Sequence, residues 1–409
     1  MAITGNTINN IQEFNTKFTG ELDKLLVRES SVGFMEDNAF AAKFVGARSV
    51  KIPDIELSGL GDYDRDNGFA TGSVTVANTV YTMSQDRGRE FNIDREDLDE
   101  TGIEELAGKV LSEFVRTEVA PETEAYVLSK VASVAKDRGN TVTATLDSGK
   151  KLSAPYADLM KAIHAVRAVT GYKEELVAFL SDEFMYALSM SSELSKSIQT
   201  GSFSQGEVDL TVQKLDRVSL LPVPAVRMQT AYDFQSGKGA EKKGGFRFVQ
   251  TASGIYFMVL PKSAVSFVKK SEKMRTFTPD NNVQMDGYKL QYRIYYDAFI
   301  KTSMLDTVYA CLAPTVTVTA DLSAATSGTA GTAKSLSVTM AASDSSTLAY
   351  QWFTADDSAG NGAKPIANAT SASYSVPATT PAGKYHYFVR VTAQNTTVID
   401  STVTELTLA

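Results

Sequence analysis

Cysteine and histidine are nearly absent from this 409-residue chain, which has one Cys and two His. The single thiol, Cys311, excludes an intrachain disulfide framework and leaves no cysteine cluster for zinc or iron–sulfur ligation. His164 and His386 have no third imidazole beside them, so a zinc site or a Ser-His-Asp triad lacks parts, and both read as ordinary structural or surface residues. No run approaches the ~18 apolar residues of a membrane helix, and the opening MAITGNTINNIQEFN lacks the basic-then-apolar pattern of a signal peptide. Synthesis in the cytoplasm and no membrane partner are the expectations. Net charge is −8, which argues against gripping nucleic acid through broad phosphate neutralisation. No phosphate loop or dinucleotide glycine pattern occurs, so no cofactor, metal or catalytic residue is expected and the chain does not read as an enzyme.

What is present is a folded chain, 43% hydrophobic, whose character changes near Pro314. Before that point helix and strand patterns mix; after it come Thr, Ser, Ala and Val with the lone Trp352. Residues 1–48 carry scattered apolar points (Ile11, Phe14, Phe18, Leu22, Leu25, Leu26) and read as an arm lying against something larger. From Val50 to Ile93 the pattern is β. Two strands flank the turn-rich GLGDYDRDNGFATG, forming an extended hairpin that is marginal alone and needs a second chain to pack on.

Thr101 and Glu104 then form a capping box, and Ile103, Leu106, Ala107, Val110, Leu111, Phe114 and Val115 share one helical face. The pattern runs on through Val134, with a kink expected at Pro121, giving a spine of ~33 residues and ~50 Å. A short strand is expected at 141–146 and a helix from Pro155, with Leu159, Ile163 and Val166 inward and Gly171 ending it. LVAFL (176–180) reads as a buried strand, Ser181 as the cap of a helix over 182–190, and RVSLLPVPAV as a further strand of the same α/β subdomain. Segments 191–208 and 235–245 read as exposed, mobile loops. Strands are expected at 246–250, 255–260, 264–269, 287–300 and 307–312, packed against the spine. The long one alternates Tyr288, Leu290, Tyr292, Ile294 and Tyr296 against Lys289, Gln291, Arg293 and Tyr295.

This order of elements over 1–313, closing with DGYKLQYRIYYDAFIKTSMLDTVYACL (286–312), resembles the major capsid proteins of tailed bacteriophages with the Hong Kong 97-type fold. The resemblance implies an α+β fold with an N-terminal arm (1–48), an extended loop (49–95), a peripheral domain (96–150 and 285–313) carrying the long spine helix, and an axial domain (151–284). Residues 314–409 resemble a linker plus an all-β immunoglobulin-like sandwich. There Trp352 of YQWF matches the buried core Trp, Tyr385 of GKYHYFVRVT the tyrosine corner, and Tyr387 stands where many antibody domains have Cys. The implied function is self-assembly into hexamers and pentamers of an icosahedral shell that encloses double-stranded DNA without reading its sequence, with the immunoglobulin-like module on the outside. The implied partners are further copies of the chain, a separate scaffolding protein, a portal and possible decoration proteins. The implied location is the virion capsid, after assembly in the cytoplasm of a bacterial host. Some relatives join subunits by an isopeptide bond from an extended-loop Lys; tip residues 58–72 contain no Lys and Lys51 lies at the base, so the shell is expected to be noncovalent. An encapsulin-type cellular compartment is the alternative, and a bacterial surface adhesin a weaker one.

The remaining motifs have plain structural readings. DYDRDNG (62–68) imitates the opening of a calcium loop, but counting from Asp62 the sixth position is Asn67 and the twelfth Ser73, where an EF-hand has Gly and Glu. Asp62, Asp64, Arg65, Asp66 and Phe69 are instead candidates for contact between subunits. DREDLDE (94–100) precedes the spine, where acidic side chains favour the helix dipole. Lys242 and Lys243, and Lys269, Lys270, Lys273 and Arg275, lack a matching aromatic ladder and read as subunit contacts or solvated loops. The glycosylation-type triplets at Asn368 and Asn395 mean little without secretion.

Overall fold

A computed structural model of the chain describes residues 21–22, 24–36, 43–45, 48–66, 68–69, 71–94, 103–144, 152–191, 198–205, 208–249, 252–282, 285–343, 347–393 and 398–409. They belong to two compact units, Met1–Thr141 with Leu159–Ala310, and Val142–Asp158 with Cys311–Ala409.

In the first unit, helical residues 24–29 and the 3₁₀ turn Gly33–Glu36 bury Leu26, Val32, Phe34 and Met35. Phe34 stacks on Phe179 at 6.2 Å and meets Phe203 edge-on at 5.2 Å, so this part of the arm is docked in the core. Ile11, Phe14 and Phe18 lie outside the described residues. Strand β1 (Lys43–Val45) pairs antiparallel with β2 (Ser49–Leu57), which forms a hairpin with β3 (Val74–Thr82) in register Ser49↔Thr82 to Leu57↔Val74. The two-strand reading of 50–93 is corrected here. A third strand, β4 (Gln85–Asp94), leaves the hairpin after Met83 and joins another sheet, its alternate side chains half-buried and exposed.

The spine runs through α1 (Ile103–Phe114), a π turn (Val115–Val119) and α2 (Ala120–Asp137). A π turn stands just before Pro121, where a kink is expected. Pro121 has no N–H to donate, and its ring crowds the carbonyl four residues back. The wider turn, in which the Ala120 N–H bonds to the Val115 oxygen, gives it room. Nearly every side chain from Ala120 to Ala132 is buried, so α2 is the central rod of the unit rather than a surface helix. Thr101 of the expected capping box lies outside the described residues.

The chain passes between units at β5 (Thr141–Thr143), and α3 (Pro155–Thr170) begins where expected, with Leu159, Ile163 and Val166 inward and Gly171 at φ +76° ending it. Strand β6 (Leu176–Ser181) is buried throughout, and the Ser181 hydroxyl caps α4 (Asp182–Ser189) by accepting from the Phe184 N–H at 3.2 Å. β7 (Ile198–Gln205) corrects the loop expected over 191–208: it pairs along its full length with β8 (Val208–Leu215). Its Ser/Gly composition suits the outermost strand of the sheet. At Gly201 a Cβ would come within 2.9 Å of the Lys214 stem crossing over it. β9 (Val218–Val223) runs parallel to β6. A small hairpin follows, β10 (Tyr232–Phe234) and β11 (Phe246–Phe248), and then β12 (Ile255–Pro261), completing the order β12-β6-β9-β8-β7.

β13 (Val265–Phe277) is more than twice the expected 264–269. Its second half is polar because it is an edge strand of the sheet β13-β14-β4, where β14 (Gly287–Ile300) is central. Leu290, Tyr292, Ile294 and Tyr296 are buried as the alternation requires, and Phe114 meets Phe91 at 5.0 Å and Tyr292 at 5.9 Å, so sheet and spine pack as expected. The segment expected to start a strand at Thr307 is a 3₁₀ turn, Thr302–Thr307, before β15 (Tyr309–Leu312).

From Val316 on, the second unit is built of β-strands whose buried side chains form one apolar core. β16 (Val316–Ala320), β17 (Ala325–Gly328), β18 (Lys334–Ser337), β19 (Thr339–Ala342), β20 (Leu348–Ala355), β21 (Lys364–Pro365), β22 (Ser373–Val376), β23 (Gly383–Ala393), β24 (Val398–Asp400) and β25 (Thr404–Leu408) follow in order. The LSVTM segment (336–340) is split at Val338: β19 pairs with β16 and β18 with β22. The larger sheet has the order β17-β25-β23-β20-β21, with β17 parallel to β25. Trp352 is fully buried between Val389, Val391, Leu406 and their neighbours, and its indole N–H donates to the Ser371 oxygen at 2.8 Å. The Tyr385 hydroxyl donates to the Pro381 oxygen at 3.1 Å, and Tyr387 is buried two residues on.

Candidate assembly surface

The β2–β3 hairpin carries apolar side chains to solvent. Strands of nine residues at ~3.3 Å per residue make a ribbon about 30 Å long. At its end Leu60, Tyr63, Phe69 and Val74 are 107%, 60%, 88% and 66% exposed. Single exposed apolar residues are ordinary, but four on one tip form a patch that burial in another surface would satisfy. The tip is ordered by its own polar groups. Ser58 and Ser73 exchange hydrogen bonds across the neck at 2.7 to 3.1 Å. Asp64 and Gly68 form a two-way backbone bridge, and Asp64 Oδ1 accepts from the Asp66 N–H at 2.8 Å. Tyr63 and Phe69 meet edge-on at 4.9 Å. The DYDRDNG motif is therefore a turn, with Asp62, Asp64, Arg65 and Asp66 displayed around an aromatic pair. Among the described residues no group of His, Cys, Asp or Glu has a metal-binding arrangement.

The root of the hairpin is held by a buried charge. Asp297 of β14 is fully buried and accepts from Lys130 Nζ at 2.5 Å, the Tyr126 hydroxyl at 2.8 Å, and the N–H and hydroxyl of Ser84 at 2.9 and 3.2 Å. Spine, long strand and the β3–β4 junction thus meet on one carboxylate. Burial raises the Tyr126 phenol well above its ordinary range, so it stays a neutral donor. A second buried carboxylate, Glu124, binds the arm through Ser31 and accepts from Arg227 at 2.7 Å. Lys269, expected in a solvated cluster, is instead buried, 2.9 Å from Glu36 of the arm and 3.7 Å from Glu272. Burial lifts Glu272 above the usual carboxylate range, with Lys269 acting the other way.

Beside the spine lies a cavity of about 460 Å³ between β4, the π turn, β14 and the 235–245 loop. Its inner wall is apolar, made by Phe91, Phe114, Val119, Tyr292 and Ile294. β4 and β14 close its back at Gly88, where a Cβ would come within 2.8 Å of the Tyr292 oxygen. Arg87 is neutralised there by Glu122 at 2.6 and 3.1 Å and also donates to the Gln235 and Gly245 oxygens. Asp86 is matched by Arg293 at 2.8 and 2.6 Å. Arg89 crosses the loop over Gly237 and Gly244, both at positive φ, with Cβ positions 3.1 and 3.3 Å from its Nη1. The 235–245 segment, expected as a loop, is thus a shaped cavity wall.

The sequence singles out the tip residues as contact candidates but neither Asp297 nor the cavity. A lone Asp inside the apolar run YRIYYDAFI was the available signal for the first. Nothing local signals the second, since its walls come from four separated segments. His164 is exposed on α3, and His386 lies 3.6 Å from Glu405 on β23. Cys311 is buried, which raises its thiol well above the ordinary value. Residues 95–100 and Asn395 lie outside the described residues, and Asn368 sits at φ +61° in a turn. No described helix is long and apolar enough to cross a membrane.

No family model matches the chain, and no curated protein does. Among solved structures it is similar to the capsid of the cyanophage P-SCSP1u, with 14% identity, 66% of this chain and 85% of that one covered, and a TM-score of 0.44. The mature capsid of bacteriophage PhiM1 gives 13% identity, 65% and 82% coverage and a TM-score of 0.44. A virus-like particle from Pyrococcus furiosus gives 7% identity, 72% and 98% coverage and a TM-score of 0.41.

Proposed function

We propose that the chain is the major capsid protein of a tailed bacteriophage, assembling as hexamers and pentamers into an icosahedral shell around double-stranded DNA. The observation that carries this reading is the hairpin. A ~30 Å two-stranded ribbon ends in four outward apolar side chains, and its root is fixed to a buried spine by Asp297. A rigid arm with an apolar end suits lapping onto a neighbouring copy. Repeated head to tail, such a contact closes rings. Asp62, Asp64, Arg65, Asp66 and Phe69 are the contact residues in this reading. With Lys51 at the ribbon's base and no Lys at 58–72, the contact is noncovalent.

The second unit is assigned as an immunoglobulin-like module displayed on the shell. The buried Trp352, the Tyr385 bond to an upstream carbonyl and the parallel β17–β25 pair support it. Tyr387 fills the place of a disulfide Cys, so packing alone holds this core. A separate scaffolding protein, a portal and decoration proteins are the partners proposed, with assembly in the cytoplasm of the bacterial host and residence in the virion.

Electron microscopy of material sedimented after expression alone, and with a candidate scaffold, tests the reading. Uniform closed shells without enzyme cargo are expected. Small scaffold-independent shells filled with one enzyme would replace it by the compartment alternative, and single chains under both conditions would end it.

A further inference from the structure

The cavity beside the spine has the chemistry of a small-molecule site. Alternation along β4 turns Arg87, Arg89 and Phe91 to one side, and register sets Arg87 across from Ile294 and Arg89 across from Tyr292. Two of the charges lining the cavity are already matched, Arg87 by Glu122 and Asp86 by Arg293. That leaves Arg89, Lys238 and Lys243 with Glu118 as the one further carboxylate on the wall. None of these three cations has an ion-pair partner among the described residues; Arg89 donates to a backbone oxygen, that of Lys242. Three cations against one anion leave an excess of two positive charges, which suits a dianion.

Behind the charged rim the wall is aromatic. Phe91, Phe114 and Tyr292 line it, with Val119 and Ile294. A flat ring gains more from such a wall than an alkyl chain does.

The interior supplies an independent observation. Thr123 Oγ1 and Tyr296 Oη belong to residues that line the cavity, are almost fully buried, and make no well-formed hydrogen bond among the described residues. Burial, with the Glu122 charge, raises the Tyr296 phenol while Thr123 beside it pulls the other way, so the phenol is a neutral donor. Buried hydroxyls without partners are costly, and an acceptor on an entering ring would satisfy them. A volume of about 460 Å³ is that of a small-molecule site.

We infer that this cavity binds an aromatic phosphate monoester of the nucleoside monophosphate class. The phosphate sits on Arg89, Lys238 and Lys243, the base lies against Phe91, Phe114 and Tyr292, and a ring carbonyl or nitrogen accepts from the Tyr296 and Thr123 hydroxyls. One phosphate on three cations is local recognition, compatible with the net negative charge of the chain. Every residue named belongs to one unit of a single chain, so the site does not depend on the shell reading.

Isothermal titration calorimetry on the full chain tests it, with thymidine monophosphate, thymidine, inorganic phosphate and dodecanoate as probes. Thymidine monophosphate should bind saturably, one per chain, and about tenfold or more tighter than each of the other three. Arg89→Ala or Lys243→Ala should weaken it about tenfold. Tyr296→Phe, which keeps the ring in place, should weaken it about fivefold and leave phosphate binding unchanged. Lys243 is exposed, so its variant decides the matter if Arg89→Ala does not fold. A short oligothymidylate carrying a terminal phosphate separates the two sources of this chemistry: binding equal to that of the free nucleotide assigns a strand end, exclusion assigns the free nucleotide, and either supports the site. Phosphate or dodecanoate binding as tightly as the nucleotide would overturn the inference. So would nucleotide binding that neither Arg89→Ala nor Lys243→Ala changes, or no saturable binding at all.

Discussion

Asp297 is the residue on which the hairpin's rigidity depends. Removing an acceptor that several part-buried donors share costs about 1–3 kcal/mol, because the buried ones among them are left unmatched. Asp297→Ala strands Lys130, the Tyr126 hydroxyl and the Ser84 N–H together. Chemical denaturation should therefore show a loss of that size, with Asp297→Asn losing less because an acceptor remains; a change below about 0.5 kcal/mol for the Ala variant would mean the carboxylate staples nothing. At this scale the sequence was partly readable. Trp352 declared itself by its rarity in a Thr/Ser-rich tail, and Leu159, Ile163 and Val166 by spacing. Lys269 did not, because a lysine in a basic cluster looks the same on paper whether it is solvated or held against a buried glutamate.

Among elements, those with a single dominant period were legible: the spine, α3, β6 and β14 fall where their patterns put them. Edge strands were not. β7 and the outer half of β13 each pair on one side only, and a strand with an open edge carries polar residues, so their composition imitates a loop. The π turn was half readable, since Pro121 announces a disturbance but not that the rod continues through it. The hairpin allows a test at the same scale. Ser58 and Ser73 stand opposite each other at the neck, so residues 59–72 can be replaced by Asn-Gly, a turn whose twist suits two antiparallel strands. Because none of the described tip residues is buried, the melting temperature should stay within about 2 °C of the parent while particle formation is lost. Particles formed without the tip would remove the hairpin from the assembly contact.

Taken whole, the molecule is two units of different construction. One is organised around a buried rod, and the other gathers β-strands around an apolar core that contains Trp352 and Tyr387. The composition of the sequence changes near Pro314, and the second unit starts its long segment at Cys311 but also takes in Val142–Asp158; neither that inclusion nor the pairing of far-apart segments around the cavity has a local signal, because tertiary packing alone sets them. In the reading proposed above, the shell is made by the first unit and the second is carried on it. Sedimentation velocity of the full chain beside a chain ending at Leu312, each with the same scaffold candidate, tests that claim most directly. The account predicts one fast, narrow boundary for both chains, the shorter giving the lighter particle. Material that stays at the sedimentation rate of single chains in both samples would contradict it.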